Sequence, residues 1–344
     1  MDKNSEIINQ AIRGSLNIIE QAREREIVSR RFGLDGQKET LEQIGEFLSI
    51  TRERVRQLEK TILVHLSIAA EDKLIPELAA AEKLIIRNLT EMGRVARISA
   101  LGEKLYGRPV TAAEHANLTF IANISLSLTL IDPNDRYYAA IGIADYGSAR
   151  EIRARVDEIV QTIKSNKDVM TLDELDEVLD YEHPSHIGAL ASLSKQLTTL
   201  HGVWGLTSWP SVNPRNIRDK IFVILSAQKE PMHFADIAKA ISESNFKRKN
   251  VTVQAIHNEL IKDKRFVLIG RGIYALSSWG YKKGTVSELI TDLLTEAGKP
   301  LKREVIVKDI LTKRQVKEST VLLNLQNHKL FEKVDKDSYQ LAQK

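Results

Sequence analysis

Four short segments of the chain echo one another: RYYAAIGIADYG at 136–147, HGVWGLTSWPSV at 201–212, GRGIYALSSWGY at 270–281, and a shortened KDSYQLAQK at 336–344. Each starts at a turn-forming or charged residue, passes through an aromatic flanked by small and β-forming residues, and follows helical sequence. A spacing of about 65 residues is the mark of one supersecondary unit used several times, so four units of one kind are expected.

The third unit is the clearest. IRDKIFVILSAQKEPMHF reads as a helix ending before Pro231. FADIAKAISES and TVQAIHNELIKD read as two more, with Ile237, Ala240 and Ile241, then Val253, Ile256 and Leu260, on their inner faces. RFVLIGRGIYAL follows as strand, Gly-Arg-Gly turn and strand, so the unit reads as a winged helix-turn-helix. The second unit repeats the order with TLDELDEVL, HIGALASLSKQLTTL and VWGLTSW, and the fourth with VSELITDLLTEAG, KREVIVKDIL and KESTVLLNLQNH. The expected fold is mainly α, with small β-hairpin wings. Its boundaries fall at a head of 1–66 and winged units of 67–147, 148–212, 213–281 and 282–344.

The head has its own logic. Glu6 to Ser29 is dense in helix formers, with Ile7, Ile8, Ile12, Leu16 and Ile19 at helical spacing, until RFGLDGQKE breaks it. Thr40-Leu41-Glu42-Gln43 has the form of a capping box, Gly45 lies within the short helix that follows, and a second helix starts at Thr51 after LSI. Two short helices with a tight turn make a helix-turn-helix. On a wheel at about 100° per residue, Leu58 and Ile62 share the side of Val55, while Arg52, Arg56, Lys60, Glu53 and Gln57 occupy the other side. Arginine can pair with guanine, glutamine with adenine and glutamate with cytosine, so this side suits base edges; an exposed helix with internal salt bridges is the plainer reading.

Residues 24–66, EREIVSRRFGLDGQKETLEQIGEFLSITRERVRQLEKTILVHL, resemble region four of the sigma-70 family, whose helix-turn-helix reads the promoter −35 element. RRFGL, TLEQIGEFL and TRERVRQLE carry the likeness, over about 43 of 344 residues. The resemblance implies that Arg52, Glu53, Arg56 and Gln57 lie at base-edge or neighbouring positions. By the same resemblance Thr40, Arg54 and Lys60 are phosphate-side or supporting groups, and Thr51 caps the reading helix. With 6% aromatic residues, the visible ones in the wings, no helix has the clustered aromatics that melting a −10 element requires.

The net charge of +4 is too small to imply a polyanion partner, so its distribution matters more. The segments 1–66, 67–147, 148–212, 213–281 and 282–344 carry 0, −2, −4, +6 and +4. Residues 215–281 resemble the HARE-type winged helix of the delta subunit of bacterial RNA polymerase and of some chromatin and restriction proteins, through the Pro-Met-His-Phe entry to the second helix and the GRGIYALSSWGY wing. Lys247, Arg248 and Lys249 before the third helix, and Arg265 and Arg271 beside the wing turn, are candidate phosphate contacts, with a solvated loop as the alternative. The acidic units 67–147 and 148–212 suit protein contacts instead.

Other chemistries find little footing. With no cysteine, disulfides, thiolate nucleophiles and cysteine-ligated zinc are excluded. His183 and His186 in HPSH read as a turn and helix start rather than a metal site, and DELDEVLDYE as an exposed helix with Leu175, Val178 and Leu179 inward. Trp204, Trp209 and Trp279 read as anchors between wings and helices. GRG at 270–272 is a hairpin turn and not a phosphate loop. Without a signal-peptide layout or a membrane-length apolar run, a cytoplasmic location is expected.

The expectation is a non-enzymatic protein without cofactor or metal that binds double-stranded DNA in bacterial transcription and partners RNA polymerase. One alternative is a polymerase-docking scaffold that competes with sigma factors without reading DNA. Another is the DNA-sensing arm of a restriction or modification system.

Overall fold

A computed structural model describes residues 3–181, 183–246, 250–281, 284–314 and 316–342. These are mainly helical and form two compact units, Met1–Ser208 and Trp209–Lys344.

In the first unit, α1 (Lys3–Ile18), α2 (Ala22–Phe32), α3 (Leu41–Leu48), α4 (Arg52–Glu71) and α5 (Pro76–Glu91) lead into β1 (Val95–Arg97). Then come α6 (Ile98–Tyr106), α7 (Ala112–Ile124), β2 (Leu128–Ile131) and β3 (Ala140–Ile143). The last strand takes the middle place of an antiparallel β1-β3-β2 sheet. The order recurs as α8 (Ala149–Asn166), β4 (Met170–Thr171), α9 (Leu172–Leu179), α10 (Pro184–Leu193), β5 (Leu197–Leu200) and β6 (Val203–Leu206), with β6 central.

The second unit contains it twice more. First come α11 (Ile217–Gln228), β7 (Met232–His233), α12 (Phe234–Glu243), α13 (Val253–Lys262), β8 (Phe266–Gly270) and β9 (Ile273–Leu276), with β9 central. Then come α14 (Val286–Ala297), β10 (Leu301–Lys302), α15 (Arg303–Lys313), α16 (Glu318–Leu325), β11 (Phe331–Lys333) and β12 (Ser338–Leu341), with β12 central. Each echoing segment is therefore the central strand of a three-stranded antiparallel sheet. Paired on both edges, that strand has the least freedom in side chain and register.

Local expectations need four corrections. The helix read over Glu6–Ser29 is two helices, because Ile19 is buried at the corner between them and Gln21 starts the second in an extended conformation. HIGALASLSKQLTTL is helix only to Leu193; Leu197–Leu200 turns to strand, paired with Val203–Leu206. Val178 is 63% exposed, since Leu172, Leu175 and Leu179 point about 60° to 120° away from it on the wheel. Val253 is 44% exposed, because Ile256 and Leu260 alone of that trio reach the core.

The core fixes α4. Ile62, Leu66 and Ala69 in its second half pack with Ile8 and Ile12 of α1, Leu78 and Ile85 of α5, and Leu118 and Ile121 of α7 in one cluster that crosses residue 66. Phe120 is fully buried and meets Phe32 of α2 edge-on, 5.1 Å between ring centroids. Burying a side chain of this size contributes about 1.5–3 kcal/mol. α10 is equally committed inward: Ile187, Leu190, Ala191 and Leu193 are buried, and the helix lies against β1. Gly93 allows that approach. At φ 88 its missing Cβ would stand 2.7 Å from the Ser185 carbonyl oxygen.

Gly93→Ala is therefore expected to lower the urea midpoint more than Gly202→Ala. Gly202 has φ 81 but open space at its Cβ position, so it reports backbone strain alone, about 1–2 kcal/mol. Equal losses would show that α10 does not press on this turn.

Glu114 closes the capping box of α7 with Thr111 and accepts from Arg108 at 2.6 Å. The Arg108 hydrogen bonds, against an opposing burial effect and with help from Thr111, hold its carboxyl down at about 2 from an ordinary 4.5. A depressed carboxylate stabilises the fold above its unfolded value and loses that contribution as pH falls towards the folded one. Acid titration of stability between about 4.5 and about 2 should accordingly be shallower for Glu114→Gln than for the parent.

Candidate nucleic-acid interface

The helix-turn-helix closes over a small core of Ile27, Ile44 and Val55, with Leu41, Leu48, Ile50 and Leu58 around it. Both helices begin with side-chain caps. Thr40 accepts from the Gln43 amide at 3.3 Å while the Gln43 side chain accepts from the Thr40 amide at 2.8 Å. Thr51 accepts from the Arg54 amide at 3.2 Å. The turn is tight because Gly45 lacks a side chain: a Cβ there would stand 2.7 Å from the Ile50 carbonyl oxygen. Ser49 takes the left-handed conformation that ends α3, at φ 54.

The first two turns of α4 leave the protein surface as the wheel predicts. Val55 is fully buried and Leu58 half-buried, whereas Arg52, Glu53, Arg54, Arg56, Gln57 and Lys60 are exposed. Three ties hold the exposed side chains. Arg52 donates to Glu42 of α3 at 2.8 Å, Arg56 to Glu53 at 2.6 and 2.9 Å, and Arg54 to Gln57 at 3.4 Å. Arg56 hydrogen bonds hold the Glu53 carboxyl below its usual range, and Glu53 in turn raises the Arg56 guanidinium. Such exposed pairs are screened by water and salt, so an approaching ligand can exchange them readily.

Two partners were not legible from spacing along one helix. Glu42 lies ten residues before Arg52, and Arg31 of α2 is tied to Glu59 of α4 at 3.1 Å across 28 residues. That second pair is largely shielded and fixes the rotation of α4 about its axis. A further surface has no signature in the helical spacing. Val64 and Ile68 of α4 and Leu126 are each at least half exposed and line, with Lys60 and Arg56, a groove of about 450 Å³ beside the polar face.

Residues 21–67 match the family model of Sigma-70, region 4. The chain is also similar to RNA polymerase sigma factor SigA4 of Synechococcus elongatus, 43% identical over 56 residues, which is 16% of this chain and 18% of that protein. It is 56% identical over 45 residues to RNA polymerase principal sigma factor HrdC of Streptomyces coelicolor, 13% of each chain. It is 39% identical over 67 residues to the chloroplastic RNA polymerase sigma factor sigF of Arabidopsis thaliana, 19% of this chain and 12% of that one. The chain thus spans less than a fifth of the length of these curated relatives. All six residues named on the outward side of α4 fall inside the matched stretch.

The remaining candidate residues lie in the second unit. Lys247, Arg248 and Lys249 fall outside the described residues. Arg271 is exposed at the β8–β9 turn. Arg265 is held by two carboxylates, Asp263 at 2.8 Å and Asp219 at 3.2 Å, and lies over Phe222 and Phe266, so its charge is already matched within the fold. His183 caps α10, its ring nitrogen accepting from the Ser185 amide at 3.1 Å.

Loss of the Thr51 hydroxyl should unlock the start of α4. For Thr51→Ala we expect a stability loss of about 1 kcal/mol and faster hydrogen exchange at the Arg54 amide, with α3 unchanged. Unaltered exchange at Arg54 would show that another group caps the helix.

Proposed function

We propose that this is a non-enzymatic, sequence-specific DNA-binding protein of bacterial transcription whose α4 reads a promoter −35-type element from the major groove. The observation that carries this reading is the rigid presentation of Arg52, Glu53, Arg56 and Gln57 on one exposed side of a capped helix, inside a stretch that matches sigma region four. Those four side chains hold the donors and acceptors that distinguish guanine, cytosine and adenine edges. Thr40, Arg54 and Lys60, at the rim, are assigned to phosphates or to support. A cytoplasmic location and RNA polymerase as partner follow from the same reading.

The four sheet-bearing segments are proposed to be tandem winged helices, 213–281 of the HARE type. Three helices followed by a hairpin whose last strand is central support that assignment. With a surplus of +6, residues 213–281 are suited to phosphate contacts through Arg271. The −2 and −4 segments bury α7 and α10 and are assigned to packing and protein contacts.

Binding to duplexes carrying a −35-like hexamer tests base reading. Arg56→Ala and Gln57→Ala should each lower the preference for that hexamer over a scrambled one by roughly five- to a hundred-fold. Unchanged preference sinks the reading.

A second reading rests on the groove of Val64, Ile68 and Leu126: the head docks on RNA polymerase and competes with sigma factors without reading DNA. Co-purification with polymerase together with flat DNA binding would select it.

A further inference from the structure

The four repeats each place a helix just before the last two strands: α7, α10, α13 and α16. Their fates differ. α7 and α10 are interior elements, with Leu118, Phe120 and Ile121 of the first and Ile187 and Leu190 of the second fully buried. α16 turns Glu318, Ser319, Thr320 and the 68%-exposed Leu323 outward, a face led by a carboxylate. α13 alone among them pairs an exposed face with amide side chains.

On a wheel at about 100° per residue, Ile256 and Leu260 define the buried side of α13, and Ile261, Gln254, Asn258 and Lys262 fall together within about 100° on the opposite side. All four are exposed, Ile261 to 62%. Gln254 donates to Asn258 at 3.1 Å, so the two amides stand side by side along the helix. The one carboxylate of α13, Glu259, points elsewhere and is tied to Arg218 at 3.1 Å. Thr252 caps the helix, accepting from the Ala255 amide at 3.2 Å.

We infer that α13 is a second base-reading helix and that its target is A·T-rich duplex DNA in the major groove. Asn and Gln pair bidentately with adenine N6 and N7, and an exposed branched apolar side chain meets the thymine methyl, so Gln254, Asn258 and Ile261 together match A·T edges. Lys262 ends the row beside the phosphates, and no unpaired carboxylate on the helix opposes them. The row from Gln254 to Lys262 rises about 12 Å, enough for three to four base pairs. The surplus of +6 over residues 213–281, twelve basic against six acidic, supplies the complementary charge for a polyanion. The protein then reads two short sequences, one with each unit.

The inference rests on the proposed DNA-binding function but not on base reading by α4, and selection of bound duplexes from a random-sequence library by the full chain separates the two. A two-part motif is expected, one part rich in A·T. Gln254→Ala and Asn258→Ala, both at exposed positions, should erase the A·T part by roughly five- to a hundred-fold in enrichment and leave the other part intact. Arg56→Ala should do the converse. If the A·T part survives Arg56→Ala while the parent shows no second part, reading by α4 fails and this inference stands. An A·T part absent from the parent, or indifferent to Gln254→Ala and Asn258→Ala, overturns it. So does loss of polymerase capture by these variants with unchanged DNA selection, which would make the face a protein-docking one. A library that selects nothing overturns both readings.

Discussion

Everything the polar face of α4 can do depends on the burial of the same helix further along. α4 is twenty residues long, and its halves have opposite environments: Val55 alone is fully buried in the first two turns, whereas Ile62, Leu66 and Ala69 enter the main core of the first unit. A helix held only by the three-residue core of Ile27, Ile44 and Val55 would have little to resist rotation or fraying. Packing of its second half against α1, α5 and α7 supplies that resistance, because close-packed interiors transmit displacement instead of absorbing it. The Arg31–Glu59 pair adds a polar stop to the same rotation.

The repeats solve a different problem. A unit of about 65 residues buries a modest fraction of its surface and is marginal alone. In the first unit the two repeats share structure. Gly93 lets α10 lie against β1, the Tyr138 amide donates to Leu193 at 2.9 Å, and that of Lys195 donates to Arg136 at 2.8 Å. Joining them this way occupies the helices α7 and α10, and what is occupied in the core is lost to any ligand. The chain's negative segments are thus also those whose last helices face inward, and its two positive segments are those whose corresponding helices, α13 and α16, leave a face outward. Charge and exposure, two properties with independent origins, sort the repeats in the same way.

Much of this is legible in the amino-acid sequence. The capping box at Thr40, the cap at Thr51 and the split of α4 into Val55 and Arg56 sides follow from short-range rules, and short-range rules apply wherever the helix forms. The echoing segments were visible because central strands are constrained on both edges. What stayed hidden was long-range or very short. The two-residue strands β4, β7 and β10 carry no periodicity at all. The Arg31–Glu59 pair spans 28 residues, and the inward packing of α10 depends on a single glycine ninety-two residues earlier than Ser185. Val253, being apolar, reads as inward in the sequence, yet at the first turn of a ten-residue helix the core lies below Ile256 and Leu260.

The free state of the α4 face bears on how it would discriminate. Arg52 and Arg56 are not bare cations; each leans on a glutamate, and Arg54 touches Gln57. A guanidinium that must leave a carboxylate to reach a phosphate gains little, since one screened ion pair replaces another. A guanidinium that leaves it for the two acceptors of a guanine gains only when both are present, and the released Glu53 then needs a donor such as the cytosine amino group. In the proposed reading, the pairing within the protein would therefore lower attraction to DNA in general more than attraction to the right base pairs. The pairs are exposed, which favours such an exchange, and the second half of α4 is anchored in the core of the first unit. Selectivity in such an interface comes from what the arginines already hold.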